Sequence, residues 1–298
     1  MSAIADILAA TDMSAPARHA VARAALLAGE TGARFGVTHV VSLGALDALR
    51  GLLAASADEV TARLLDEARD QVGQLAAEIG KRYGVTADVH LAVGSVLGEI
   101  AARADAVDAG LLVMGARGAG FMRELLVGST TERVLRKLSR PLLVVRQIAH
   151  EPYRRVLVPV DFSVRSLASL RLARAVAPQA DLILLHAFEV PFEGKLRLAG
   201  VEEDAVHGLR VAAKRAAIER INALVAAAGL EDAGVRRIVL HGEPSTLILE
   251  QEQEQDCDLI VIGKHGQSML EDMLLGSVTK HVLARAAADV LVADRSSA

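Results

Sequence analysis

Met114-Gly-Ala-Arg-Gly-Ala-Gly-Phe-Met-Arg-Glu-Leu-Leu-Val-Gly-Ser129 recurs 148 positions later as Ile262-Gly-Lys-His-Gly-Gln-Ser-Met-Leu-Glu-Asp-Met-Leu-Leu-Gly-Ser277. Both copies read G-x2-G-x9-G-S. A second pair, Ile7-Leu-Ala-Ala-Thr-Asp-Met-Ser14 and Val156-Leu-Val-Pro-Val-Asp-Phe-Ser163, matches at an offset of 149. Two matches at nearly one offset make the chain a tandem repeat. The units run from 1 to 147 and from 153 to 295, with Arg146 to Arg155, which contains Pro152, as the connector. The length agrees, since 298 residues is about twice a typical domain of roughly 150.

Working outward from the glycine segments, short aliphatic runs alternate with longer helical patterns, the signature of β-α-β units and a parallel sheet. Strands are predicted at Ile4 to Ala10, Arg34 to Val41, Thr86 to Val93, Leu111 to Met114 and Leu142 to Val145. The second copy repeats them at Arg155 to Val160, Asp181 to His186, Arg236 to Leu240, Leu259 to Ile262 and Val290 to Val292. A long helix follows strand two in each copy. Val60, Leu64, Ala68, Val72, Leu75 and Ile79, and likewise Val206, Leu209, Ala213, Ala217, Ile221 and Leu224, recur every three or four residues and predict one buried stripe per helix. The acidic run Glu250-Gln-Glu-Gln-Glu-Gln-Asp-Cys-Asp258 reads as a solvated helix end. Each copy is thus an open, doubly wound α/β sheet of five parallel strands with helices on both faces.

Composition narrows the function. With 52% hydrophobic, 23% charged and 2% aromatic residues, the chain has an aliphatic core to build. Seven aromatics and a net charge of −4 supply neither stacking platforms nor a basic face, so nucleic acid is not expected as a partner. A single cysteine, Cys257, allows no internal disulfide and no Cys/His metal cluster, and the N-terminus lacks a basic n-region. No apolar run reaches the roughly 18 residues of a membrane span. The expectation is a cytoplasmic protein without metal ligands.

Ligands of open α/β sheets sit beyond the carboxyl ends of the strands, where the strand order reverses. Strand four of each copy ends in Gly115 or Gly263, where a turn must bring backbone N–H groups close to something that a Cβ would obstruct. Gly128-Ser129-Thr130 and Gly276-Ser277-Val278 then open a helix. Serine there is either an N-cap or, with the unsatisfied N–H groups of a first turn, part of a phosphate site. Strand one ends in Asp12 or Asp161, each followed two residues later by serine. Either carboxylate caps the next helix, or it accepts hydrogen bonds from a ligand's amino group or hydroxyls. If strands one and four are neighbours, one crevice holds an acceptor at one end and a phosphate cradle at the other.

Rival phosphate motifs fail. Gly80-Lys81 and Gly194-Lys195 are followed by Arg82 and Leu196, not Ser or Thr, so no P-loop exists. Gly118-Ala-Gly120 meets Arg123 where a dinucleotide fingerprint needs its third glycine. His39 and His186 recur at the end of strand two, where an imidazole anchors a loop more often than it catalyses.

The glycine loop, the Asp after strand one and the tandem length together resemble the universal stress protein family, in its ATP-binding branch and two-domain form. That resemblance implies two Rossmann-like domains of the adenine nucleotide alpha hydrolase-like kind, with strand order 3-2-1-4-5. It implies that Asp12 and the backbone at Val40 hold adenine, that Met114, Gly115 and Gly118 line the ribose and phosphates, and that Gly128, Ser129 and Thr130 bind phosphates. In the second copy the same roles fall to Asp161 and Ala187, to Ile262, Gly263 and Gly266, and to Gly276, Ser277 and Val278. ATP is the implied ligand, with ADP or AMP as alternatives and Mg²⁺ carried by the phosphates. The family's edge strands pair domains, which here implies pairing of the two copies within the chain and leaves a homodimer open.

The copies differ between their first two glycines, Ala116-Arg117 against Lys264-His265, so cationic help for phosphate differs. The second inserts Pro191-Phe-Glu-Gly-Lys-Leu-Arg197 after strand two, either a lid or an ordinary surface loop. Binding is better supported than turnover, which makes an ATP-binding stress or regulatory protein the first expectation. Slow ATP hydrolysis or nucleotidyl chemistry, with Lys264 assisting, and a role through protein contacts alone are the alternatives.

Overall fold

The computed structural model describes residues 4–44, 46–47, 57–117, 128–231, 234–266 and 275–294. Two compact units divide at Pro152 and Tyr153. In the first, β1 (Asp6–Thr11), α1 (Ala15–Thr31), β2 (Arg34–Ser42), α2 (Ala57–Tyr83), β3 (Ala87–Gly94), α3 (Val96–Ala106), β4 (Leu111–Gly115), α4 (Ser129–Lys137) and β5 (Leu142–Val145) alternate along the chain. The second runs β6 (Arg155–Pro159), α5 (Val164–Val176), β7 (Asp181–Phe188), α6 (Glu193–Leu198), α7 (Glu203–Ala227), β8 (Arg236–His241), α8 (Pro244–Glu254), β9 (Leu259–Gly263), α9 (Ser277–Arg285) and β10 (Asp289–Ala293).

All strand pairs within a unit are parallel. Pairings of β2 with β3, β1 with β2, β1 with β4 and β4 with β5 give the order β3-β2-β1-β4-β5. The second unit repeats it as β8-β7-β6-β9-β10. The order reverses between β1 and β4, so right-handed crossovers send α1 and α2 to one face and α3 and α4 to the other. The strands are apolar on both sides: β1, β4 and β5 are buried throughout, as a sheet covered on both faces requires. Strand ends fall within two residues of those predicted, because β-branched runs bounded by turn residues mark them clearly.

The long helices depart from the expected stripe. Leu64 is 39% exposed and Leu209 47%, while Val72, Leu75 and Ile79, and Ala217, Ile221 and Val225, are buried. Length explains it: α2 has 27 residues and β3 has 8, about 40 Å of helix over about 26 Å of strand. The helices outrun the sheet, so Leu64 and Leu209 face solvent, although Thr61 and Val206 near the same helix starts are buried. The acidic run is also not simply solvated. Glu252 is buried and accepts the Ala288 N–H at 2.5 Å, and Asp258 accepts the N–H groups of Arg154 and Arg155 at 2.7 and 3.1 Å.

Among the described residues no helix is long and apolar enough to cross a membrane.

Candidate functional site

The crevice of each unit starts with the turn after its first strand. Asp12 and Asp161 are each followed by a residue in the left-handed region, Met13 at φ 64° and Phe162 at φ 62°. That bend, costly for a residue with a Cβ, turns the carboxylate back towards the next helix. Asp12 Oδ1 accepts the Ser14 N–H at 3.0 Å and its hydroxyl at 2.5 Å, while Ser14 Oγ caps α1 by accepting from Ala17 N at 3.4 Å. Asp161 Oδ1 accepts the Ser163 N–H at 3.0 Å and the Ser166 hydroxyl at 2.9 Å. Serine, not aspartate, stands at the N-cap position in both units, but only Ser14 caps with its hydroxyl; Ser163 makes no side-chain cap bond.

The histidines anchor the same strand ends. His39 Nδ1–H donates to Thr11 O at 2.7 Å and His186 Nδ1–H to Val160 O at 2.8 Å. Burial lowers the pKa of His186 and outweighs the hydrogen bond to Val160 O, which by itself favours the charged ring.

The glycine segment closes on itself. Ala116 N–H donates to Val145 O, and Gly128 N–H donates back to Ala116 O at 2.8 Å. Lys264 and Gly276 repeat both bonds, to Ala293 O and Lys264 O. Gly128 and Gly276 are the N-caps of α4 and α9, with Ser129 and Ser277 in the first helical position. Of the two readings of these serines the N-cap is thereby excluded, and both hydroxyls stand at the mouth of the first turn, beside N–H groups that have no intrahelical acceptor. A buried threonine two residues on ties the helix to the strand. Thr131 Oγ1–H donates to Gly115 O at 3.1 Å and Thr279 Oγ1–H to Gly263 O at 2.8 Å.

These parts line one cavity per unit. In the first, of about 330 Å³, Asp12, Val40, Met114, Gly115, Gly128, Ser129 and Thr130 all reach the wall. In the second, of about 220 Å³, Asp161, Ala187, Ile262, Gly263, Gly266, Gly276, Ser277 and Val278 do so. Gly118 lies outside the described residues. Both volumes are several times the about 30 Å³ of a water, so each suits an organic ligand. Carboxylate and loop meet directly in the second unit, where a Cβ at Gly266 would stand 3.4 Å from Asp161 Oδ2.

Some wall residues escaped the sequence reading. Val96 and Ile100 of α3, matched by Pro244 and Ile248 of α8, form an apolar side; their matched offset was the available signal. Thr38 in the first unit and Ser169 in the second are each 1% exposed, line the cavities, and have hydroxyls with no partner among the described residues. A buried hydroxyl without a partner is costly, and a polar ligand group in the cavity would satisfy it. The site chemistry fits a nucleotide: an acceptor, an apolar wall, unsatisfied hydroxyls and a helix N-terminus for phosphate.

Three other expectations change. Gly115 is glycine to admit a helix, since a Cβ there would stand 3.0 Å from Pro16 C and O, and it lines the cavity as well. Lys264 points away from the cavity into an ion pair with Asp294, Nζ to Oδ2 3.1 Å, so it gives the site no cation; Arg165 and His265 line that cavity. The inserted segment forms α6, whose Glu193 pairs with Arg210 of α7 and, at 2.8 Å, with His241 at the end of β8. None of residues 191–197 lines the cavity. Among the described residues no cluster of three or more His, Cys, Asp or Glu could hold a metal ion.

Each unit is a doubly wound α/β domain whose crevice, at the reversal of strand order, sets a carboxylate against a glycine loop and a helix N-terminus. The model of the universal stress protein family matches residues 4–146 and again 152–294, and the chain belongs to that family as a tandem pair of its domains. A universal stress protein of Mycolicibacterium smegmatis is 28% identical over 96% of both chains. Universal stress protein MJ0577 of Methanocaldococcus jannaschii is 29% identical over 49% of this chain and 97% of its own. Among solved structures, a universal stress protein from Archaeoglobus fulgidus superposes with a TM-score of 0.68 at 23% identity, covering 97% of this chain and 98% of its own.

Proposed function

We propose that each unit binds an adenine nucleotide, ATP in the first instance with ADP or AMP as alternatives, and that the chain works in the cytoplasm as a ligand-responsive regulator in a stress response. One observation carries the reading. In both copies the carboxylate after the first strand and the Gly-Ser start of the helix after the glycine loop line a single cavity. An acceptor at one end suits the donors of a base or sugar, and the unsatisfied N–H groups of a first helical turn suit phosphate. Any Mg²⁺ enters on the phosphates. Binding is favoured over turnover because each carboxylate is committed to the start of the next helix through its serine neighbours, a poor setting for a group that must exchange protons.

The test is to denature purified protein, identify released nucleotide by mass, and measure thermal unfolding with and without ATP. At a hundredfold excess over Kd a binding site adds about 2.7 kcal/mol. Thr130→Trp and Val278→Trp, each filling one cavity, assign that gain to a unit. No bound nucleotide and no shift in the wild-type protein would overturn the reading.

A further inference from the structure

The slot between the strand ends and α3, or α8, has six matched walls in the two units. In the first they are Ala10 of β1, Thr38 and Val40 of β2, Met114 of β4, and Val96 and Ile100 of α3. Pro159, Leu185, Ala187, Ile262, Pro244 and Ile248 hold the same places in the second. Ala10 pairs in register with both Thr38 and Met114, which puts the three side chains on one face of the sheet. Val40, two residues on from Thr38, joins them.

One of the six positions differs in kind. Leu185 fills its place with hydrocarbon, so the slot of the second unit is apolar at all six. Thr38 is just as buried, at 1% exposed, but it brings a hydroxyl, and its Oγ1 has no hydrogen-bond partner among the described residues. Neighbouring threonines are committed: Thr11 Oγ1 accepts the Met13 N–H at 3.0 Å, and Thr131 donates to Gly115 O. In the second unit the partnerless hydroxyls, those of Ser163 and Ser169, stand at the start of α5 and within it, and α5 packs on the opposite face of the sheet from α8. A buried hydroxyl without a partner is costly, and with nothing to fix its rotamer Thr38 can turn it to whatever fills the slot.

We infer that Thr38 is a specificity-determining residue of the first unit, whose hydroxyl reads a polar atom on the edge of a base lying in the slot. The inference rests on the nucleotide reading of the crevice. A purine has apolar faces that suit the five hydrocarbon walls and an edge of ring nitrogens with an exocyclic amino group. A hydroxyl both donates and accepts, so it pairs with either kind of edge group. A site that hydrogen-bonds a polar group strongly rejects the analogue that lacks it, because the site's own buried group is then stranded, whereas an apolar pocket separates such analogues weakly. The first unit therefore screens the base at this position, and the second, with Leu185, admits it there by shape alone.

The experiment uses the full chain with the second crevice filled by Val278→Trp, titrated with ATP in a calorimeter. Adding Thr38→Val, which keeps the shape and deletes the hydroxyl, should weaken ATP binding about tenfold. The same substitution should leave the ligand-free protein melting at or above the temperature of its parent, since an unpartnered hydroxyl has been removed. A merely structural hydroxyl would give the reverse, a lower melting temperature with unchanged affinity. Thr38→Ser, which keeps the hydroxyl, should bind ATP within about threefold of the parent. ATP analogues that each lack one ring nitrogen or the exocyclic amino group identify the atom that is read. One of them should bind the Thr38 protein about tenfold more weakly than ATP does and lose nothing further on Thr38→Val. Should Val278→Trp itself fail to fold, Thr38→Val in the otherwise native chain should weaken one of its two binding events and spare the other. Unchanged ATP affinity in Thr38→Val, a lowered melting temperature, or analogue penalties that all persist without the hydroxyl would overturn the role of Thr38 and leave the nucleotide reading standing. No binding of any nucleotide to the wild-type chain would instead remove that reading.

Discussion

Lys264 Nζ lies 3.1 Å from Asp294 Oδ2, and the two side chains are only 4% and 12% exposed. The first unit has Ala116 at the matching position, so the pair is a local invention of the second unit. Removing one member of a buried ion pair strands the other charge in a poorly solvated place. Lys264→Ala should therefore cost about 3 kcal/mol of stability, read as a lower urea midpoint at unchanged slope. Asp294→Asn in the same chain should recover part of that loss. A midpoint within about 0.5 kcal/mol of wild type would show the pair to be dispensable.

Gly115 and Gly263 occupy one motif position yet should respond differently to a single methyl group. Gly115→Ala drives a Cβ against α1 backbone that cannot swing aside and should cost about 1 to 3 kcal/mol. Gly263→Ala meets its nearest atom at 3.4 Å, ordinary contact, and should change stability by less than about 1 kcal/mol. Thermal melts of the two variants decide it, and equal losses would contradict the geometry.

Thr131 and Thr279 clamp α4 and α9 to the strands before the glycine loop. Valine keeps the shape and removes the hydroxyl, leaving a carbonyl short of one donor. Each Thr→Val substitution should cost about 1 to 2 kcal/mol and raise amide hydrogen exchange in the first turn of the helix that carries it. Exchange unchanged at that turn would mean the clamp is idle.

Glu243 supplies an acid-sensitive element to the second unit. Burial raises its pKa, but hydrogen bonds from the N–H and hydroxyl groups of Ser245 and Thr246 outweigh burial and hold the carboxyl at about 2. A carboxylate depressed in the folded state stabilises fully above its unfolded pKa of about 4.3, and that contribution fades as pH falls towards 2. Wild type should lose stability through this window faster than Glu243→Gln, whose cap is insensitive to pH. Ser95, at the matching helix start of the first unit, makes no such side-chain bond. Parallel stability curves for the two proteins between pH 5 and 2 would refute the assignment.

Much of this architecture was legible because the repeat doubles every signal. Asp12, Asp161 and the glycine segments stand out by matched spacing, and strand ends follow from β-branched runs closed by turn residues. What escaped depends on what lies opposite a residue. Spacing puts Leu64 on the same helical face as Val72, but it does not mark the point where the sheet beneath that face ends. Position in the motif put Lys264 beside a phosphate loop, yet Asp294, 30 positions on, decided where its amine went. Ser129 resembled a cap because serine favours caps, and only the backbone shows that Gly128 holds that place.

The left-handed residues Met13 and Phe162 carry a consequence for timing. Each holds a conformation costing about 1 kcal/mol for a residue with a side chain, and each is kept there by a neighbouring carboxylate bonded to the following helix. The strain is met once, when the domain folds, and not again at each encounter. On the proposed nucleotide reading an arriving ligand finds its acceptor already aimed, so recognition should be quick and nearly rigid at this corner, with any slow rearrangement originating elsewhere in the unit.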